Sequence, residues 1–137
     1  MKQLTANELR IGNVFNYGAK EAGIFKPTII DWSDIRLAAE YPKEFNVLYH
    51  RIPLTEDVLL RFGFELTDDY GDIKFYALKN RSKRHYYVCI DHECLSFGIS
   101  VNDGCTILIY DDEIFQYAHH LQNIYKDFGY ELEFKPE

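Results

Sequence analysis

A chain of 137 residues, 47% hydrophobic and 27% charged, has the size and composition of one folded domain or a domain with a small subdomain, and at that length it buries roughly 65–70% of its unfolded surface without needing a metal or disulfide. A formal net charge of −7 sets a repulsive overall field against nucleic acid, so duplex binding would have to come from a local basic patch. No apolar run approaches ~18–20 residues, "MKQLTANELR" lacks an apolar signal core, and three cysteines cannot all pair, so the expectation is a cytoplasmic protein with reduced thiols and no membrane contact.

In chain order, "TANELRIGN" offers Thr5 or Asn7 as a cap for a short turn ending at Gly12. "VFNYG" starts an extended run. "IFKPTIIDW" (Ile24–Trp32) reads as a second strand whose Pro27 restricts it to an edge or a bend. In "SDIRLAAEYPKEF", Ser33 or Asp34 caps one helical turn that Pro42 would end, and "NVLYHRI" (Asn46–Ile52) is rich in β formers. "PLTEDVLLRFGFEL" is a two-turn helix: Thr55 caps it, Glu56 and Asp57 favour its N-terminus, and Gly63 suits the left-handed position after it. From Asp72 onward, "IKFYALK", "HYYVCI", "LSFGISV" and "CTILIY", separated by polar turns, predict an antiparallel meander. Asn102, Asp103 and Gly104 supply a tight hairpin turn. "DDE" (Asp111–Glu113) is expected to cap a long last helix that Gly129 stops, with "YELEF" as a final short strand.

At ~100° per residue, Ile114, Tyr117, Ala118, Leu121, Ile124, Tyr125 and Phe128 form one apolar stripe of that helix. His119, Gln116, Asn123 and Lys126 fall opposite, which predicts a solvated or structural role for His119. His120 diverges from His119 by about 100°, so the two are not expected to share an ion; a helical metal pair wants spacing i, i+4.

Cys89, His92 and Cys94 in "CIDHEC" are the other metal or nucleophile candidates, but no converging third group accompanies them. A buried small hydrophobe is the default reading for Cys89. The carboxylate pairs Asp68/Asp69, Asp111/Asp112 and Glu131/Glu133 match no calcium loop. Phosphate-binding glycine loops and the Gly-x-Ser-x-Gly elbow are absent from the sequence. No catalytic residue, metal site or cofactor is assigned. Lys79, Arg81, Lys83 and Arg84 in "KNRSKRH" read first as a solvated hairpin turn and second as a phosphate contact.

Three stretches, "ANELRIGN" (Ala6–Asn13), "IPLTEDVLLRFGFE" (Ile52–Glu65) and "YAHHLQNIYKDFGYELE" (Tyr117–Glu133), are similar in content and order to a set of short uncharacterised proteins of Bacteroides-type gut bacteria and their phages. Those carry "LRIGN", then "PLTEE.LLKFGF", then "HQLQNLY...TGEEL". His120 stands where that family has Gln, and "KDFGYELE" replaces its usual ending. The resemblance implies a phage or mobile-element setting. It brings no assigned activity or catalytic residue.

The sequence therefore predicts an α+β fold: an antiparallel meander with a C-terminal helix packed on one face, preceded by a small N-terminal β module that could close as an SH3-like barrel. Residues 1–52 form the module and 53–137 the helix–sheet–helix unit. The expected function is non-catalytic protein binding or adaptor activity, through an unidentified protein partner or self-association. This rests on the abundance of Tyr and Phe, 11 and 10 residues, types favoured at interfaces. His119, Gln122 and Asn123 are its candidate contacts, unless they bond buried backbone instead. Nucleic-acid association through the basic turn is the alternative, and a thiol enzyme built on Cys89, His92 and Cys94 comes third.

Overall fold

The computed structural model describes residues 3–18, 25–78, 85–92, 94–102, 105–110 and 115–135. The fold is α+β, with two antiparallel sheets and a C-terminal helix. The chain divides into two compact units: Met1–Pro53 with Tyr117–Glu131, and Leu54–Gln116 with Leu132–Glu137.

The first unit opens with a 3-10 turn, Ala6–Glu8, in which the Thr5 N–H donates to the Glu8 carboxylate at 3.3 Å. Strands β1 (Val14–Tyr17), β2 (Lys26–Ile29) and β3 (Tyr49–His50) pair antiparallel in the order β2-β1-β3. β2 lies at the edge, where Pro27 removes no ladder donor that a central strand would need. The sheet is open and its third strand has two residues, so the module does not close as an SH3-like barrel.

The segment before β3 departs from expectation. Asp31, not Ser33 or Asp34, caps α1 (Trp32–Glu40), its carboxylate accepting from the Ser33 and Asp34 N–H groups at 2.9 and 3.2 Å. Pro42 does not simply end that helix; it occupies the first turn of α2 (Pro42–Leu48), where its missing N–H costs nothing. The expected strand from Asn46 therefore shrinks to Tyr49–His50. Asn46 instead ties α2 to the N-terminal segment, accepting from the Leu4 N–H at 2.7 Å and donating to the Leu4 carbonyl at 3.0 Å. Leu4, Leu9, Phe15, Ile30, Ala38, Phe45 and Tyr49 form the core of this unit. Phe45 and Tyr49 stack at 4.1 Å, and the Tyr49 hydroxyl donates to Asp34.

In the second unit α3 (Glu56–Arg61) is capped by Thr55, whose hydroxyl oxygen accepts from the Val58 N–H at 3.4 Å, and Gly63 follows at φ +89°. Strands β4 (Phe64–Asp69), β5 (Ile73–Leu78), β6 (His85–Asp91), β7 (Cys94–Asn102) and β8 (Cys105–Tyr110) follow in sequence order: β5 to β8 are the expected meander, and β4, which the sequence did not mark as a strand, adds an edge antiparallel to β5. Asp103 and Gly104 of the expected tight turn lie outside the described residues, and Asn102 pairs with Cys105 across it. Val58, Leu59, Phe64, Tyr76, Val88, Phe97 and Phe115 are buried.

Two expectations for the C-terminal region are corrected. The last helix, α4 (Ala118–Asp127), begins after Tyr117 and not at the acidic run, so "DDE" does not cap it; residues 111–114 lie outside the described residues. Gly129, at φ +86°, follows its end as expected. "YELEF" forms no strand. Arg61 instead holds that stretch: its Nε donates to the Lys135 carbonyl at 3.0 Å, and its guanidinium lies 4.1 Å from the centre of the Phe134 ring. The sheet on which α4 packs is the N-terminal one, through β1.

Candidate functional site

Residues 9–13 are neither helix nor strand, so their polar backbone groups need partners elsewhere. The turn and Ile30 satisfy several of them, the Gly12 N–H donating to the Ile30 carbonyl at 2.9 Å, and side chains of α4 bond the Gly12 carbonyl and the flanking Glu8 and Val14. The buried Val14 N–H donates to Gln122 Oε1 at 2.8 Å, and Gln122 Nε2 donates to the Gly12 carbonyl at 3.0 Å. Asn13 Nδ2 donates to Asn123 Oδ1 at 2.8 Å, and Asn123 Nδ2 reaches the Glu8 carbonyl at 3.4 Å. Arg10 closes the far end with a 2.7 Å ion pair to Asp127. The polar residues of "ANELRIGN" and "HHLQN" thus meet along one seam, and Gln122 and Asn123 are engaged by the fold itself.

His119 also faces inward, which corrects its expected place on the wet side. It is completely buried, with its ring 4.8 Å from Phe15 and 6.0 Å from Tyr117. The buried residues of α4 are Ala118, His119, Leu121, Gln122 and Tyr125, while Phe128 is exposed. The buried stripe is rotated by about 80° from the one drawn on hydrophobicity alone. The cause is the seam: Gln122 bonds Gly12 and Val14, and His119 places its Nε2 on Glu8, while its buried Nδ1 is left without a partner.

At the start of the seam four ionisable groups converge. Arg51 Nη2 lies 2.8 Å from Glu8 Oε1, and His119 Nε2 lies 3.3 Å from Glu8 Oε2. The Arg51 guanidinium sits 5.4 Å from the centre of the Tyr117 ring. His120 folds back over the helix start, its Nδ1 accepting from the Tyr117 N–H at 3.3 Å. The rings of His119 and His120 are 4.4 Å apart. The expectation that adjacent histidines diverge therefore fails here, because the second belongs to a first turn where a ring can bend towards the cap.

Partial burial acts to raise the Glu8 pKa, but the His119 hydrogen bond and the charge of Arg51 outweigh it and lower the carboxyl to about 2. Burial, and then the neighbouring His119, lower His120 to about 4. At neutral pH the carboxyl is ionised and the His120 imidazole is neutral. One ligand atom each of Glu8, His119 and His120 lies within 4.8 Å of the others. Neither Glu8 nor Arg51 stood out in the sequence. The only local sign was the position of Glu8 three residues after Thr5, which reads as helix capping.

The other candidates are less convergent. Cys89 and Cys94 lie on paired strands of one hairpin, opposite Ser96 and Asp91. Burial raises the Cys89 thiol, and Asp91 adds to it, the reverse of what an activated nucleophile needs. His92, at φ +49° in the turn, contacts Asp91 and lies 3.4 Å from Asp72. Lys79, Arg81, Lys83 and Arg84 lie outside the described residues, as do Asp111 and Asp112. Asp68, Asp69, Glu131 and Glu133 are exposed.

Large apolar side chains are exposed from residue 25 to α2. Ile29 is 55% exposed, Trp32 63%, Tyr41 56% and Val47 63%, with Phe25 also exposed at the start of the segment. Among the described residues no helix is long and apolar enough to cross a membrane. No family model, curated protein or solved structure matches the chain.

Proposed function

We propose that this protein is a non-catalytic binding or adaptor protein whose first unit docks a protein partner, in a phage or mobile-element setting. The setting rests on the resemblance of the three sequence motifs. The observation that carries the binding reading is the exposure of Phe25, Ile29, Trp32, Tyr41 and Val47 within residues 25–47. Single exposed apolar side chains are ordinary, but five within 23 residues of chain, tryptophan and tyrosine among them, include the residue types that dominate interface energetics. The seam residues His119, Gln122 and Asn123 then serve by holding the unit rigid, since their polar atoms face residues 8–14.

The test is quantitative co-purification of the tagged full chain from its host, beside the double variant Ile29→Ser/Trp32→Ser. A stoichiometric protein partner that is lost from the variant, with the circular dichroism unchanged, is the expected result. A chain that carries the same partner in both forms, or none while remaining monomeric at high concentration by light scattering, overturns the reading.

A further inference from the structure

We infer that Glu8, His119 and His120 form a site for one divalent transition-metal ion of the zinc type, with one carboxylate oxygen and two imidazole nitrogens as protein ligands. Two imidazoles and a carboxylate are a donor set suited to zinc or cobalt, with a fourth position left for water or an added ligand. One ligand atom from each residue already lies within 4.8 Å of the others.

The distance fits at one edge, and the other two are no more than 4.8 Å. Tetrahedral zinc with bonds of about 2.0–2.2 Å holds neighbouring ligand atoms about 3.3–3.5 Å apart. Glu8 Oε2 and His119 Nε2 are separated by 3.3 Å, so an ion can bridge them with neither group displaced. His120 completes the set by moving its ring towards the other two, giving up its 3.3 Å bond to the Tyr117 N–H. His119 is not committed to two hydrogen bonds, because its Nδ1 has no partner. Ligation through Nε2 replaces the Glu8 contact by the ion and leaves the ring proton on Nδ1. His119 is fully buried while Glu8 and His120 are partly exposed, so an ion enters from their side.

Arg51 opposes the ion. Its guanidinium holds the other carboxylate oxygen at 2.8 Å and places a positive charge beside the site. Coulomb repulsion weakens binding without removing the ligands. That gives the site a signed fingerprint: removing Arg51 tightens it, whereas removing a ligand loosens it.

The experiment is titration of the chelator-stripped full chain with Co²⁺ and then Zn²⁺, read by calorimetry and by the visible absorption of bound cobalt. One ion per chain is expected, with visible bands of low-coordinate cobalt and no near-ultraviolet thiolate band. His120→Gln weakens binding roughly tenfold or more, and Arg51→Gln tightens it. His120→Gln keeps the Glu8–His119 contact, so it remains informative where Glu8→Gln fails to fold. The inference is overturned if no ion binds, if affinity is unchanged in His120→Gln or not raised in Arg51→Gln, or if a thiolate band appears and vanishes in Cys94→Ser.

Discussion

Replacing Gln122 by leucine tests the seam at its most buried bond. Gln122 accepts from the Val14 N–H at 2.8 Å and donates to the Gly12 carbonyl at 3.0 Å, and Val14 is 0% exposed. Leucine has nearly the same volume and makes neither bond. A buried N–H left without an acceptor costs about 1–3 kcal/mol, and the second hydrogen bond contributes about 0.5–1.5 kcal/mol. The apolar side chain returns about 1 kcal/mol through its extra buried hydrocarbon. The net expectation for Gln122→Leu is a loss of about 1–3 kcal/mol in the first unit. Two compact units need not unfold together, so the assay must be local. Native-state hydrogen exchange at the Val14 amide, run beside urea unfolding, reports the loss where it occurs. Faster exchange at Val14 with the β6–β7 amides unchanged is expected. A Val14 amide as protected as in the parent, with stability within about 0.5 kcal/mol, would refute the claim that Gln122 is buried to satisfy residues 12–14.

Three further outcomes follow from the same structure. In metal-free protein the first unit loses stability on acidification: His120, lowered from 6.5 to about 4, contributes a loss as pH falls through that window, and Glu8, lowered from 4.5 to about 2, contributes the next. Acid titration followed by circular dichroism should show His120→Gln flattening the upper part of this profile; an unchanged slope there contradicts the assignment. Gly63→Ala, at φ +89°, should cost about 1–2 kcal/mol in thermal or urea unfolding although nothing crowds the added carbon; a neutral result would deny the left-handed cap of α3. Brief alkylation read by mass spectrometry should modify exposed Cys94 before Cys89, whose thiol is raised by burial and by Asp91. Preferential labelling of Cys89 would reverse that reading.

Local chemistry was legible in the sequence; long-range satisfaction was not. Thr55 before an acidic first turn and Gly63 after an apolar stripe marked α3, because capping and the left-handed glycine are properties of a few adjacent residues. The strands of the meander stood out for the same reason, as short β-forming runs between polar turns. Pro42 misled because proline both terminates helices and begins them, and only Asn46 reaching back to Leu4 shows which applies. His119 misled more deeply. Hydrophobic periodicity ranks it as polar and therefore outward, yet its partner Glu8 stands 111 residues earlier in the chain. A polar side chain can be buried wherever it is satisfied, and periodicity carries no information about what satisfies it. Arg51 was invisible for the same reason.

We place partner binding on the exposed segment 25–47 and a structural role on the seam. The direct measurement is a hydrogen-exchange footprint of the chain with the co-purified partner bound and removed. New protection is expected within residues 25–48 and none along residues 8–14 or α4. Protection concentrated on residues 8–14 and on His119 to Asn123, with 25–48 exchanging as freely as before, would contradict it and move the binding surface to the seam.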